Sequence, residues 1–309
     1  MASAADPLAP RAGIEICSTT MNSVVLGDDG SVIFTAQTPI AAAEPLAKQL
    51  SPVVESLRSQ YAGIKTVGVA LPGLVDRKTG RVTYSANMPQ NVSSDVVREI
   101  HASCGIEVHI ENDANAAAYG EYRLGAGRGC RHMFYATLGE GVGGAFIFAG
   151  ELWRGAAGYA GEFGFVPINS EGIKLEEVAS AANIVRRTKE RFYQDSTSSL
   201  NYLPNHTITL DAIITAASRN DDFAQLMLHR TGAYVGTAIA SVINLLNIER
   251  IVVGGAIMGA KDIVLDAITS RAKEITFGPS FASTTLKAAE LGDQAAAIGA
   301  AILASEAGE

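Results

Sequence analysis

Short apolar runs bounded by turn residues fill the first part of the chain, and they predict strands. GIEIC, NSVVL and SVIFTAQ, all within residues 13–37, predict three strands, and the GDDG between the second and the third predicts a tight hairpin. An Ala- and Leu-rich stretch at residues 40–60 predicts a helix. TVGVALPG follows it and predicts a buried strand that runs into a Pro-Gly turn.

Further along, strand-like runs alternate with Ala-rich helical stretches. GIEVHIEND predicts a strand whose polar end meets the start of a helix, ANAAAYGEYRLG. HMFYATLG and GGAFIFAG predict two paired strands around a Gly-rich turn. The second half is mostly helical, interrupted by a strand at RIVVGGA, and DQAAAIGAAILASEAG predicts a closing helix.

The order of these elements predicts a two-lobed α/β fold. Strand-strand-strand-helix-strand opens the chain and is loosely repeated from residue 131, so each half is expected to hold a mixed sheet flanked by helices. We predict a flexible tail at 1–12, a smaller lobe at 13–111 completed by a C-terminal helix at 295–309, and a larger lobe at 112–294. Ligands of such sheets bind outside the carboxyl ends of the strands.

Composition narrows the functional classes. A net charge of −8 without a Lys/Arg run argues against nucleic acid as a partner. No apolar run reaches the roughly 18 residues that span a bilayer, and MASAADPLAPRAG has no signal-peptide core, so we predict a cytoplasmic protein without membrane contact. The three cysteines are scattered and form no C-x-x-C pair, which argues against a disulfide framework and a cysteine zinc site.

The motif Glu111-Asn112-Asp113-Ala114-Asn115 lies where a predicted strand meets a predicted helix. Asn and Asp favour this place because their side chains cap the helix start by accepting backbone N–H groups. Alternatively, the Asp accepts the proton of a hydroxyl that attacks phosphorus, and the neighbouring Asn orients a sugar. The two interpretations are compatible.

Residues 139–144, GEGVGG, satisfy the pattern G-x-G-x-x-G. A dinucleotide-binding loop of this pattern opens a helix, but here the strand-like AFIFAG follows. The glycines therefore favour a hairpin whose N–H groups face phosphate oxygens, with an ordinary hairpin turn as the alternative.

Two glutamates are candidates for sugar binding. Glu162 lies within GAAGYAGEFG at 155–164, where small residues allow close backbone approach and a carboxylate accepts sugar hydroxyl protons. Glu176 lies at the start of a predicted helix, LEEVASAANIVRR, where a glutamate is also favourable to the helix dipole without any functional role.

Six segments taken together resemble the repressor/open-reading-frame/kinase (ROK) family of sugar kinases, within the actin–hexokinase–Hsp70 (ribonuclease H-like) fold superfamily. They occur in order: ALPGLVD (70–76), IENDANAAAYGE (110–121), TLGEGVGGAF (137–146), RGAAGYAGEFG (154–164), IVVGGAI (251–257) and LGDQAAAIGAAILA (291–304). The resemblance covers nearly the whole chain from residue 13 and is specific as a set, although each motif alone is weak.

The resemblance implies a glucokinase-like enzyme that uses ATP and magnesium, commonly as a homodimer or homotetramer. It makes Asp113 the general base and assigns sugar contacts to a second group of residues: Gly73, Asn112, Asp113, Glu162 and Glu176. It places a third group beside the nucleotide and its phosphates: Ser18, Thr19, Thr137, Gly139, Gly141, Gly143, Gly144, Gly254 and Gly255.

Both phosphate loops depart from the family pattern. The first loop of the family reads Asp-x-Gly-Gly-Thr, whereas this chain has Glu15-Ile16-Cys17-Ser18-Thr19. Glu15 can still hold Mg²⁺ through water, but Cys17 and Ser18 add bulk where glycines admit a phosphate. Glu140 stands where a Thr is usual, which brings a carboxylate towards the triphosphate.

The zinc motif of the family is missing. Phe165 replaces the His that follows Glu-x-Gly, and NSEGIKLEE replaces the Cys cluster that this His meets. We therefore predict no zinc. Because that His usually helps to recognise the sugar, Phe165 bears on the choice of sugar, which motifs alone do not fix.

Three functions compete at this point. The first is an ATP-dependent hexose kinase, with glucose as the default sugar. The second is a non-catalytic sugar sensor or pseudokinase, motivated by the altered loops; a DNA-binding repressor is disfavoured because the first strand begins near residue 13. The third, a chaperone-like or filament-forming ATPase, shares only the fold and leaves Asn112-Asp113 beside GEFG unexplained.

Overall fold

The computed structural model describes residues 10–41, 44–76, 79–84 and 95–307. Of the predicted flexible tail at 1–12, positions 1–9 lie outside the described residues. Arg11 and Ala12, by contrast, already belong to the first strand, since they pair with Leu26 and Val25 of the next strand and Ala12 is buried. The first strand thus begins two residues before the expected position 13.

The described residues form twelve strands and ten α-helices, with short 3₁₀ turns between them. The strands are β1 (Arg11–Ile16), β2 (Thr20–Leu26), β3 (Val32–Pro39), β4 (Thr66–Leu71), β5 (Leu74–Asp76), β6 (Arg81–Tyr84), β7 (Glu107–Asn112), β8 (His132–Leu138), β9 (Val142–Phe148), β10 (Glu151–Trp153), β11 (Arg250–Gly254) and β12 (Thr285–Ala288). The helices are α1 (Leu46–Gln60), α2 (Val96–Cys104), α3 (Asp113–Leu124), α4 (Glu176–Ala179), α5 (Ala181–Lys189), α6 (Leu210–Ser218), α7 (Asp222–Leu246), α8 (Lys261–Ile275), α9 (Gly278–Ala282) and α10 (Ala295–Ala307).

The chain divides into two compact units. The first comprises residues up to Arg128 together with Arg154–Ala160 and Leu291 onward, and the second comprises Gly129–Trp153 and Gly161–Glu290. The first unit therefore extends past residue 111, where the sequence placed the boundary, because α3 packs against α10. Gly299 of α10 lies so close to α3 that a Cβ built on it would overlap the carbonyl oxygen of Ala116.

The sheet of the first unit has the order β3-β2-β1-β4-β7. β1, β2 and β3 pair antiparallel, as the predicted hairpin requires, whereas β4 and β7 run parallel to β1. A core of aliphatic side chains, among them Ile14, Leu50, Val69 and Ile100, fills the space under α1 and α2. α10 packs on β1 and β4, so residues near both ends of the described chain complete this unit.

The sheet of the second unit repeats that arrangement, with the order β10-β9-β8-β11-β12. β8, β9 and β10 pair antiparallel, and β11 and β12 run parallel to β8. The predicted Gly-rich hairpin is confirmed as the β8–β9 connection. A larger core, with Phe134, Met227, Ile239 and Ile251 among its members, joins this sheet to the helices between α4 and α8.

One predicted helix, LEEVASAANIVRR, is in fact two. Ser180 adopts an extended conformation between α4 and α5, with φ −70° and ψ 154°. The break is stabilised locally, because Asn183 Nδ2 donates to the carbonyl of Glu176 at 3.0 Å and to Ser180 Oγ at 2.9 Å. Among the described helices, none combines the length and the apolar character needed to cross a bilayer.

Candidate active site

In the first unit, the ends of two parallel strands bring Gly73, Asn112 and Asp113 together. Leu71 of β4 lies beside Asn112 of β7 in the sheet register. Asn112 Nδ2 donates to the carbonyl oxygen of Gly73 at 2.9 Å and to Asp113 Oδ1 at 2.9 Å. The three residues predicted to form the sugar and base site in this part of the sequence are therefore adjacent.

The start of α3 fixes the side chains of both Asn112 and Asp113. Asn112 is the N-cap, because its Oδ1 accepts the N–H of Asn115 at 3.0 Å, which confirms the capping interpretation. Asp113 is the first helical residue, and its Oδ1 also accepts the N–H of Ala114 at 2.9 Å. Capping thus orients the carboxylate instead of competing with a chemical role.

Glu15 on β1 is electrostatically coupled to Asp113. Burial raises the pKa of Glu15 to about 7, the hydrogen bond from Asn22 at 3.3 Å opposes this shift, and the negative charges of Asp113 and Asp293 add to it. Carboxylates that repel one another in a partly buried place suit a divalent cation, since a cation removes the repulsion.

The donor set fits Mg²⁺ held largely through water. Oxygen ligands are what Mg²⁺ prefers, and it commonly keeps several of its waters. Within the described ranges, no three His, Cys, Asp or Glu side chains are close enough to one another to hold a metal directly. The binding of Mg²⁺ by Glu15 through water stays a prediction.

The predicted first phosphate loop is the turn between β1 and β2. Ser18 and Thr19 are exposed there, while the N–H of Cys17 donates to the carbonyl of Thr20 at 2.8 Å. Asn22 Nδ2 lies 3.5 Å from Cys17 Sγ, which ties the thiol to the same amide that contacts Glu15. The turn is thus closed without glycine, and its two hydroxyl-bearing residues are exposed.

In the second unit, the predicted nucleotide residues come together at the ends of β8 and β11. Thr137 lies opposite Gly143 across the hairpin and beside Gly254 across the parallel pair. Gly255 has φ +91°, and a Cβ built on it would lie 2.4 Å from the carbonyl oxygen of Leu138. Only glycine fits this position, which accounts for the double glycine after β11.

The turn between β8 and β9 is held from outside by α4 and α5. Within the turn, the N–H of Gly139 donates to the carbonyl of Gly141 at 2.9 Å. The carbonyl of Gly139 accepts the N–H of Ala181 at 2.8 Å, a bond made possible by the break at Ser180. Glu176 Oε2 accepts the N–H of Val142 at 3.0 Å.

Glu162 and Glu176 are electrostatic neighbours in the second unit. Burial raises the pKa of Glu162, and the charge of Glu176 raises it further. Glu176 does begin a helix, as the dipole interpretation required, but α4 has only 4 residues and the carboxylate binds the glycine turn. The anchoring role of Glu176 was not predicted, because it depends on a contact across 34 residues of sequence.

Phe165 and the segment after it form a closed hairpin. The Phe165 ring is 58% exposed, and Lys174 Nζ lies 4.4 Å from the ring centroid, within cation–π range. Pro167 and Lys174 form an isolated bridge between the two sides. The absence of zinc stays a prediction, and this hairpin is where a measurement has to test it.

Arg154 and Glu111 were not predicted to interact, and neither was proposed as a site residue. Glu111 is buried, and its Oε2 accepts Nη2 of Arg154 at 2.6 Å and Nε at 3.1 Å. The available signal was the motif itself, since Arg154 opens the RGAAGYAGEFG segment and Glu111 opens the Glu-Asn-Asp triplet.

Two mixed sheets of one strand order, each carrying candidate site residues beyond its strand ends, define the class of actin–hexokinase–Hsp70-like α/β proteins. The chain belongs to the ROK family, whose sequence profile matches residues 11–307. A glucokinase of Streptomyces coelicolor is 30% identical to it, over 95% of this chain and 97% of that protein.

Solved structures agree with this assignment. The crystal structure of a ROK family glucokinase from Streptomyces griseus in complex with glucose and AMPPNP gives a TM-score of 0.86 at 28% identity, covering 96% of this chain and 100% of that one. A ROK family transcriptional regulator, a homolog of the Escherichia coli MLC protein, gives 0.86 at 25% identity, covering 97% and 78%. The predicted family, fold class and enzyme class, a glucokinase-like sugar kinase, are confirmed.

Proposed function

We propose that this protein transfers the γ-phosphoryl group of ATP to a hydroxyl of a glucose-like hexose, with Asp113 as the general base. The observation that carries the proposal is the orientation of the Asp113 carboxylate at the start of α3 by Asn112 and Ala114. Similarity to glucokinases, one of which was solved with glucose and AMPPNP, supports the choice of sugar and nucleotide.

In the proposed reaction, Asp113 accepts the proton of a sugar hydroxyl as its oxygen attacks the γ-phosphorus. The new P–O bond forms while the bond to the β–γ bridging oxygen breaks, and ADP leaves with that electron pair. Mg²⁺, when bound, would neutralise charge on the phosphate oxygens. By family resemblance, the transfer goes to the primary hydroxyl of the sugar.

The hydrogen bonds limit what Asn112 can do for the sugar. Both amide hydrogens of Asn112 are engaged, one with Gly73 and one with Asp113. Among the described residues, Asn115 is the one whose N–H the Oδ1 of Asn112 accepts. Because an amide oxygen has two lone pairs, Asn112 contacts the sugar as an acceptor from a hydroxyl.

The remaining assignments follow the chemistry of each group. Glu162 and Glu176 accept hydroxyl protons from the sugar, and Gly73 is a further sugar contact. Glu15 holds Mg²⁺ through water. The nucleotide is bound by two sets of residues: the hydroxyls of Ser18, Thr19 and Thr137, and the backbone around Gly139, Gly141, Gly143, Gly254 and Gly255.

A coupled assay of ADP release tests the proposal. Wild-type protein with ATP and Mg²⁺ is offered glucose, mannose, fructose, allose and the N-acetylhexosamines, beside Asp113→Asn. Sugar-dependent turnover that falls about 10²- to 10⁴-fold in the variant is the expected result, since this is the range that general base catalysis contributes. Turnover that survives in Asp113→Asn contradicts the role of Asp113.

A sugar sensor without catalysis is the second candidate. It is favoured by Glu140 and by the absence of glycine from the β1–β2 turn, and by the similarity to a ROK regulator. Sugar binding by calorimetry, without turnover on any of the sugars above, would establish this function in place of the kinase.

We also propose a homodimer or homotetramer, from family resemblance alone. Light scattering at micromolar concentration measures the mass, and a species of 32.2 kDa contradicts the proposal.

A further inference from the structure

Glu111 is a buried carboxylate that directly precedes the Asn112-Asp113 pair. The residue is 5% exposed, and a carboxylate so placed is unfavourable unless hydrogen bonds and an opposite charge compensate it. Both of its oxygens are engaged. Oε1 accepts the N–H of Asn112 and Nδ2 of Asn115, each at 3.1 Å, and Oε2 accepts the two guanidinium bonds of Arg154.

The bonds to Oε1 tie together the first turn of α3. Asn115 gives its side-chain amide to Glu111 and its backbone N–H to Asn112, so the turn is held at two points. Asp113 lies between them and takes its own orientation from Asn112. Asn112 therefore connects the two carboxylates: its N–H donates to Glu111 and its side-chain amide donates to Asp113. A shift of Glu111 is expected to displace the Asp113 carboxylate through Asn112.

Arg154 brings a separate piece of chain to this turn. The segment Arg154–Ala160 belongs to the first unit, although Trp153 before it and Gly161 after it belong to the second. The N–H of Ala160 donates to the carbonyl of Arg154 at 3.0 Å and closes the segment on itself. The ion pair to Glu111 joins this closed segment to the start of α3.

We propose that Arg154 is a positioning residue, which acts through Glu111 and Asn112 to set the Asp113 carboxylate for phosphoryl transfer. The inference rests on the proposed function of Asp113. Arg154 needs no contact with the substrate in this role. It neutralises Glu111, so that the carboxylate stays buried and keeps its two bonds to α3. A displacement of about 1 Å in a reacting group costs roughly a hundredfold in rate.

The first test is Arg154→Met, which keeps the bulk of the side chain and removes its charge. We expect kcat to fall about ten- to hundredfold, with KM for ATP unchanged, because the role proposed for Arg154 concerns the proton acceptor and not the binding of the nucleotide. The matched control is Arg123→Met. Arg123 lies at the C-terminal end of α3, and this substitution breaks its ion pair to Glu306. It should leave kcat within about twofold, as surface ion pairs contribute little.

A double variant separates positioning from loss of folding. In Glu111→Gln/Arg154→Met, the Gln oxygen can accept the same two hydrogen bonds without needing a cation, so kcat should recover about fivefold or more over Arg154→Met. Urea unfolding of the wild type, both single variants and the double variant should show coupling between the two sites. That second readout does not depend on activity.

The outcomes distinguish the two proposals. A wild type without turnover on any sugar overturns the proposed function, and this inference with it. An active wild type with undiminished kcat in Arg154→Met overturns the positioning role alone. Failure of the double variant to recover kcat also overturns the positioning role. In that case the fall in kcat of Arg154→Met would not be caused by the unneutralised charge of Glu111.

Discussion

Glu140 stands in the exposed turn between β8 and β9, next to the glycines to which we assign the triphosphate. Replacing it by Thr removes a negative charge beside a negatively charged ligand. We expect Glu140→Thr to lower KM for ATP about three- to tenfold with kcat preserved, which corresponds to roughly 1 kcal/mol in a screened, exposed place.

The control for this prediction is Glu151→Thr. Glu151 is an exposed glutamate at the start of β10, at the far end of β9 from the glycine turn. A general effect of net charge would change KM for ATP equally in the two variants. Equal changes would therefore contradict a local role for Glu140.

The contacts of single residues could be predicted from the sequence only where the partners are close together in the chain. Asn112 lies where a predicted strand meets a predicted helix, so the cap that it forms followed from its residue type and place in the sequence. The Arg154 contact with Glu111 spans 43 residues, and no local rule selects that partner among the other arginines. The raised pKa of Glu15 was likewise not predictable, because it depends first on burial of the carboxyl in the folded protein and then on the nearby charges of Asp113 and Asp293.

Helix α10 meets α3 at a crossing that only glycine allows. A Cβ on Gly299 would lie 1.7 Å from the carbonyl oxygen of Ala116 and 2.8 Å from the backbone nitrogen of Gly120. Gly299→Ala must therefore separate two backbones, and we expect it to lower the free energy of unfolding by about 2 kcal/mol or more. Urea denaturation measures this loss.

Gly278→Ala is the matched substitution for that test. Gly278 is also helical, at the start of α9, and a Cβ there would meet no atom within 4 Å. Its effect should stay within about 0.5 kcal/mol, the usual range for a surface change. A similar loss in both variants would contradict the crossing as its cause, because Gly→Ala raises the helix propensity at both positions.

Helix α7 begins with a heavily bonded cap. Asp221 accepts the N–H groups of Ala224 and Ser199 and the hydroxyls of Ser198 and Ser199, at 2.6–3.2 Å. Burial opposes ionisation, but these hydrogen bonds outweigh it and hold the pKa of Asp221 below its ordinary value of 3.8. The ionised carboxylate thus stabilises the fold.

We expect Asp221→Ala to lower the free energy of unfolding by about 1–3 kcal/mol at pH 7. Because the pKa is lowered on folding, this contribution is fully present above the unfolded pKa and disappears as pH falls through the folded one, below about 4. Asp222→Ala, which removes a carboxylate at the exposed next position, is the control at pH 7 and should cost less than Asp221→Ala. If the difference in the free energy of unfolding between wild type and Asp221→Ala stays the same at the lowest pH, the ionised cap is not its cause.

Elements were predictable where local pattern determines them. The hairpin strands and the Ala-rich helices carry their own periodicity and turn residues, and the structure confirms them. β10 and β12 have 3 and 4 residues and were missed, because strands this short take their pairing from the neighbouring strand. The break at Ser180 was also missed, because it rests on the side-chain bonds that Asn183 Nδ2 makes to the carbonyl of Glu176 and to Ser180 Oγ, and helical periodicity does not reveal them.

For the molecule as a whole, the predicted lack of zinc has a direct consequence. The hairpin from Phe165 to Leu175 is closed by backbone bonds and by Lys174 over the Phe165 ring. Zinc-selective chelation should therefore leave the melting temperature unchanged, and metal analysis of the purified protein should find no stoichiometric zinc. A fall in melting temperature on chelation contradicts the prediction.

The first unit is not continuous in sequence. Its last helix, α10, follows the whole of the second unit along the chain and packs on β1 and β4. On the ribosome, N-terminal domains generally fold first. Here the segment up to Arg128 waits for residues 295–307, which at about 5–20 residues per second means roughly ten to forty seconds. During translation, the faces of β1 and β4 that α10 covers stay exposed until residues 295–307 have been made, so the first unit completes its packing only after the second unit has been synthesised.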